Sequence, residues 1–83
     1  MAFKTVVVEV KERNIEMYSG FLNDENARDF IKEKLFSYFK DELDLTDAEI
    51  EEYKDDEWGM DEDSAYSSIR GRNLDYQIFD VEI

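Results

Sequence analysis

Between Asp41 and Asp63 the chain reads D-E-L-D-L-T-D-A-E-I-E-E-Y-K-D-D-E-W-G-M-D-E-D, thirteen carboxylates against the single base Lys54. Inside it, Thr46-Asp47-Ala48-Glu49 is a capping box, in which Thr46 and Glu49 satisfy each other's backbone donors at a helix start. Leu45 before the cap and Ile50 at the fourth helical position are placed to form a hydrophobic staple. The spacing predicts a helix from Asp47 to about Trp58, with Gly59 as its C-terminal cap. At ~100° per residue, Ile50, Tyr53 and Glu57 fall together, with Lys54 and Trp58 at one margin. Asp47, Glu49, Glu51, Glu52, Asp55 and Asp56 spread over the opposite arc, too wide and too charged to be buried.

Upstream, Ala27, Phe30, Ile31, Leu35, Tyr38 and Phe39 recur at helical spacing, which predicts an amphipathic helix to about Leu43 capped by Asn23 or Asp24. Its core side is expected to be Phe30, Ile31, Leu35 and Tyr38; its polar side mixes signs, as a solvated face does. Phe3–Val10 is β-branched and unbroken and reads as a central strand; Ile15–Tyr18 resumes an extended pattern after a polar interruption and completes a hairpin. Ser19–Asn26 is turn-rich. Downstream of the acidic stretch, residues 60–68 read as a loop or irregular entry in which Ala65–Ile69 forms a short strand. Residues 70–73 make a turn, and residues 74–83 a long final strand. In that strand Leu74, Tyr76 and Ile78 alternate on one face and Phe79, Val81 and Ile83 on the other. The switch suggests a bulge near Ile78 or a strand covered on both sides. The expected fold is α+β: one domain over residues 1–83, order β-β-α-α-β-β, with a small antiparallel or mixed sheet of three to four strands and two helices packed on one face.

Six Phe, five Tyr and one Trp make a disordered acidic tail implausible. With neither Cys nor His, disulfides, thiolate sites and the commonest general base are excluded. The start of the chain is charged and strand-like rather than leader-like, and no apolar run approaches the ~20 residues of a membrane span. The expectation is a soluble, cytoplasmic protein.

Residues 1–40 balance seven acids with seven bases, so the net charge of −13 comes almost entirely from residues 41–63. Such a surface disfavours nucleic acid and anionic membranes and favours a basic protein partner. On the predicted helix, Glu51 with Asp55 and Glu52 with Asp56 are like-charge pairs, each costing ~0.2–0.5 kcal/mol. Asp55, Asp56 and Glu57 also stand where the helix dipole disfavours anions. A local conflict of this kind points to a binding role.

Clustered carboxylates have rival uses. An EF-hand register with Gly59 at the sixth position places Lys54, Trp58 and Ala65 at ligand positions and fails, so no metal or other cofactor is expected. Asp61, Asp63 and Ser64 retain at most a loose, millimolar-strength hold on a divalent ion. Ser64, Ser67 and Ser68 sit in no nucleophile motif, and the glycines in no phosphate loop, so no catalytic residue is assigned. Trp58 reads first as the residue anchoring the second helix; a half-exposed Trp58 or Tyr66 would instead be a hot spot amid the charges. Arg70 and Arg72 are expected to pair with nearby acids.

In its size, its acidity and its acidic helix within an aromatic-rich fold, the chain resembles the small acidic nucleic-acid mimics encoded by phages and mobile elements. These include anti-restriction proteins, anti-CRISPR proteins and DNA-glycosylase inhibitors. The segment W-G-M-D-E-D-S-A-Y-S-S (Trp58–Ser68) is similar to small phage reading frames. The resemblance is one of class and assigns no residue roles. It implies a non-catalytic protein that inhibits or regulates a basic, nucleic-acid-binding protein through residues 44–63. The expected contacts are Asp47, Glu49, Glu51, Glu52, Asp55, Asp56, Asp61, Glu62 and Asp63, with Trp58 and Tyr66 as apolar anchors. The alternative is a small structural or accessory phage-type domain, or a homodimer, whose acidity serves solubility and whose strands expose an apolar patch.

Overall fold

In a computed structural model, which describes residues 3–82, the strands form one antiparallel sheet in the order β2-β1-β5-β4-β3. β1 (Phe3–Lys11) and β2 (Asn14–Phe21) make the hairpin, joined by Glu12 and Arg13 with Glu12 in the left-handed region at φ 55°. β2 runs further than its Ile15–Tyr18 pattern suggests, through the residues read as a turn. The register against β1 shifts between Thr5 and Val7, and Gly20, at φ 95°, supplies a conformation that side chains disfavour there. This irregularity carries Phe21 to Phe30, whose ring lies 4.9 Å from that of Tyr18 and 5.1 Å from that of Phe21.

α1 (Asp24–Ser37) begins directly after Asn23, one of its two expected caps, whose side chain accepts from the Asn26 N–H at 2.9 Å. Ala27, Ile31 and Leu35 are buried against the sheet, whereas Phe30 is only partly buried, under the two rings of β2. Helical winding continues to Glu42 as a wider π turn, Tyr38–Glu42, closed by Leu43 N–H donating to Tyr38 O. The changed phase lets Tyr38, Phe39 and Leu43 all face the core.

α2 (Asp47–Tyr53) starts as expected: Glu49 N–H donates to Thr46 Oγ1 at 3.2 Å, and Thr46 N–H donates to the Glu49 carboxylate at 3.1 Å. Leu45 and Ile50, the two halves of the staple, are both buried. Its end is a correction, since the helix stops at Tyr53 and not at Trp58. Asp55 reverses the chain at φ 70°, its N–H donating to Trp58 O, and Trp58–Met60 becomes the strand β3. Burying an indole is worth roughly 4 kcal/mol by area, whereas continuing a carboxylate-laden helix gains little, since propagation of even good helix formers is near neutral. Gly59 is accordingly a strand residue, not a cap; a Cβ there would stand 2.8 Å from the Tyr66 ring of the adjacent strand.

β4 (Ser64–Ser67) pairs with β3 on one side and with β5 (Leu74–Glu82) on the other, after a short 3₁₀ turn at Ile69–Gly71. The sheet therefore has five strands rather than three or four, the order being β-β-α-α-β-β-β. The extra strand is the piece read as helix end and loop.

β5 is the middle strand and pairs with β1 without interruption from Leu74–Lys11 to Glu82–Phe3, so the expected bulge is absent. Nor is β5 covered on both sides. Leu74, Tyr76 and Ile78 are buried under α1, while Phe79 and Val81 are exposed on the opposite face; Ile83 lies outside the described residues. α1 packs across β1, β2 and β5, and Ile50 and Trp58 close the core beside it, so both helices occupy one face. No helix among the described residues is long and apolar enough to cross a membrane.

Candidate functional site

The acidic segment is held in place by what lies beneath it. Trp58 is 4% exposed, its ring edge-on to Phe36 at 5.6 Å and tilted against Phe39 at 5.4 Å. Its indole N–H donates to Ile50 O at 2.7 Å. In a longer helix that carbonyl would accept from Lys54, but Lys54 N–H turns to Glu51 O instead, so the indole caps the truncated end. Trp58 is thus the structural anchor and not a half-exposed contact.

The shortened helix splits the expected carboxylate array in two. Asp47, Glu49, Glu51 and Glu52 belong to α2, with Asp55 and Asp56 in the turn behind it; all but the half-buried Glu49 are exposed. Glu49 is occupied by the capping box. The pairs Glu51/Asp55 and Glu52/Asp56 no longer share a helix, so the helical i,i+4 spacing behind their predicted repulsion does not apply. Asp47 and Glu51 remain a like-charge i,i+4 pair, with Asp47 bonded to Lys40 Nζ at 2.7 Å. Within the last turn of α2 the dipole meets Glu51 and Glu52 and no base, the nearest cation being Lys54 at the C-cap.

The second group, Asp61, Glu62 and Asp63, forms the tip of the β3–β4 hairpin, closed by Asp61 N–H donating to Ser64 O at 2.8 Å. Three strand residues separate the groups, about 10 Å at the usual rise. Between them runs an open groove where α1 faces β3, and it is not uniformly negative: Arg28, Lys32 and Lys54 line it beside Glu51, Asp61 and Glu62. Arg28 fixes the hairpin by donating to Glu62 O at 3.0 Å.

The negative field continues from the hairpin tip to the start of α1. Partial desolvation, and then the neighbouring Asp80 and Asp63 carboxylates, raise the Asp24 pKa above its ordinary value. Among the described residues no group of three or more carboxylates converges closely enough to hold a metal ion.

Tyr66 is not part of this surface. It projects from the other side of the sheet, 41% exposed, with its ring over Gly59. Arg70 and Arg72 are exposed and, among the described residues, ion-paired with nothing; only Lys11–Glu42 and Lys40–Asp47 form salt bridges.

One polar cluster escaped the sequence reading. Glu9 is buried on the helix side of β1 and accepts from Tyr76 Oη at 2.5 Å, while Tyr18 Oη donates to Glu16 on β2. Period-two alternation along Phe3–Lys11 places Glu9 on the face of Thr5 and Val7, which was the available signal. The Glu16 hydrogen bond pushes the Tyr18 pKa up to about 12; burial first, and then Glu9, raises that of Tyr76.

The opposite face of the sheet shows where the charge is not. Cross-strand partners share a face, so Val6, Val8 and Val10 stand with Ile15, Met17, Phe79 and Val81 on the side away from the helices. Lys4 and Asp75 are the charged strand residues there among those described. Comparison of the chain with known protein families, with curated proteins and with solved structures finds no match to any of them.

Proposed function

We propose that this is a non-catalytic binding domain that presents two fixed acidic groups to a basic protein, of the kind whose own ligand is nucleic acid. The contacts would be Asp47, Glu51, Glu52, Asp55 and Asp56 on one side of the groove and Asp61, Glu62 and Asp63 on the other. Inhibition or regulation would follow from occupying the partner's nucleic-acid groove, as in the phage-encoded mimics that the sequence resembles. The supporting observation is the partition of charge. Of thirteen carboxylates in residues 41–63, Glu42 and Asp47 alone are ion-paired among the described residues, and the remainder crowd the helix side and its β3 margin. Stability alone would disfavour Glu51 and Glu52 in the last turn of α2.

The reading predicts binding that weakens steeply with salt and that competes with duplex DNA or RNA. The test variant combines Glu51→Lys, Glu52→Lys and Asp56→Lys with Asp55→Asn; asparagine is chosen because position 55 has positive φ, which Asn tolerates. This variant should lose the partner while keeping the fold. Undiminished binding would exclude the acidic groups as the interface.

A structural or accessory domain remains a second reading, favoured by one specific observation: the apolar sheet face carries Ile15 at 69% and Met17 at 68% exposure. Acidity would then serve solubility, and the acidic substitutions would leave function unchanged.

A further inference from the structure

We infer that the open face of the sheet is a self-association surface, on which a second copy of this chain packs face to face about a two-fold axis. The face is built by Val6, Val8 and Val10 of β1, Ile15 and Met17 of β2, and Phe79 and Val81 of β5, with Tyr66 at its far side. Ile15, Met17, Phe79, Val81 and Tyr66 all retain substantial exposure, so a largely apolar surface, interrupted by Gln77 opposite Val8, lies in water.

Charge selects the occupant. Each chain carries −13, so two copies repel through any surface that includes the acidic groups. On the open face, among the described strand residues, one cation and one anion stand at opposite ends: Lys4 beside Val81, and Asp75 beside Val10. A two-fold axis in the interface plane and perpendicular to the strands brings Lys4 of each copy to the Asp75 end of the other. The two charges then complement one another twice, as an isologous contact requires. A parallel arrangement would stack lysine on lysine.

Area agrees. β1, β2 and β5 have nine, eight and nine residues, and β4 and β3 four and three. At the usual strand rise and spacing they present roughly 530 Å² per copy, so a pair buries about 1,050 Å², just above the ~1,000 Å² that a specific interface must clear. Aligned sheets packed about 10 Å apart with a twist near −30° would interdigitate these side chains. Both acidic surfaces would then point outward on opposite sides of the dimer. The inference stands independently of the proposed function, because it concerns the other face.

Sedimentation of the full chain from micromolar to millimolar concentration tests it. The wild type should pass from monomer to dimer, and the dimer should tighten as salt rises, since salt screens the mutual repulsion. Met17→Lys and Phe79→Lys should each weaken dimerisation at least about 10-fold with an unchanged far-UV spectrum. Should Phe79→Lys unfold the domain, Met17→Lys answers alone, its side chain being 68% exposed. Lys4→Asp should weaken the dimer, and adding Asp75→Lys should restore it. A chain that stays monomeric to millimolar concentration overturns the inference. So does a dimer indifferent to both apolar substitutions, which would point to pairing along the β2 edge. A monomer that instead binds phosphatidylcholine vesicles through Met17 and Phe79 also overturns it.

Discussion

Replacing Trp58 by phenylalanine tests the structural reason that the acidic segment has a fixed shape. The indole donates to Ile50 O at 2.7 Å, and no backbone N–H is placed to take over, because Lys54 N–H is committed to Glu51 O. Removing the donor leaves a buried carbonyl unpaired, a cost of about 1–3 kcal/mol. A smaller ring also loses part of the edge contacts with Phe36 and Phe39, aromatic pairs worth roughly 0.5–1.5 kcal/mol each when complete. A total near 2–4 kcal/mol is a large share of the ~4–12 kcal/mol that a domain of this size commands. In thermal unfolding followed by far-UV circular dichroism, Trp58→Phe should lower Tm by roughly 10–25 °C. Amide exchange at Tyr53 and Lys54 should accelerate more than at Leu35, because the freed end of α2 frays first. If Tm moved by only a degree or two, or if exchange rose uniformly, the indole would not be the cap that ends α2.

Other consequences follow from the same contacts. Thr46→Ala removes one half of the capping box and should cost about 1 kcal/mol, read as a Tm loss of roughly 4–8 °C; no loss would mean that Glu49 holds the helix start alone. The combined Glu51→Lys, Glu52→Lys, Asp56→Lys and Asp55→Asn variant should melt no lower than the wild type, with its relative gain largest at low salt, because cations suit the end of α2; a cooperative loss of stability would show that these carboxylates are structural. Tyr18 and Tyr76 have folded pKa values raised above their unfolded ones, so the folded state retains protons that the unfolded chain has lost. Stability they contribute is complete below about pH 10 and falls as pH rises toward the folded values, near 12 for Tyr18. Ultraviolet titration should find these phenols ionising late, and Tyr18→Phe should flatten the alkaline loss; ionisation of all five tyrosines near their ordinary value would refute the Glu9 and Glu16 hydrogen bonds.

The class of fold was legible where local chemistry is strong. A capping box, a staple and a β-branched run each act within a few residues, and Thr46, Leu45, Ile50 and Val7 stand where those patterns place them. What failed was the end of α2. Helical spacing and Gly59 suited a cap, but tertiary burial of one indole outweighed the weak propensity of the residues before it. Extending the helix to Trp58 omits a strand from the sheet and keeps on the helix Asp55 and Asp56, which the structure places in the turn. The mixed faces of β5 suggest a bulge or a strand covered on both sides, because apolar side chains on both faces are expected to be buried. Phe79 and Val81 show that the face is bare. Tyr66 was placed with the acids by proximity in sequence, whereas alternation along β4 turns it to the other side of the sheet. Net charge and its concentration in residues 41–63 needed no structure, but the separation into two groups with Arg28, Lys32 and Lys54 between them did.

The most direct test of the proposed role is displacement by nucleic acid. The immobilised chain is exposed to a nuclease-treated cell lysate at low salt, washed, and eluted with duplex DNA and, in parallel, with a neutral polymer. Basic proteins that DNA releases and the polymer does not, and that the variant altered at Glu51, Glu52, Asp55 and Asp56 fails to retain, are the predicted result. Retention of the same proteins by wild type and variant alike, or release that DNA does not promote, would contradict an acidic surface acting in place of nucleic acid.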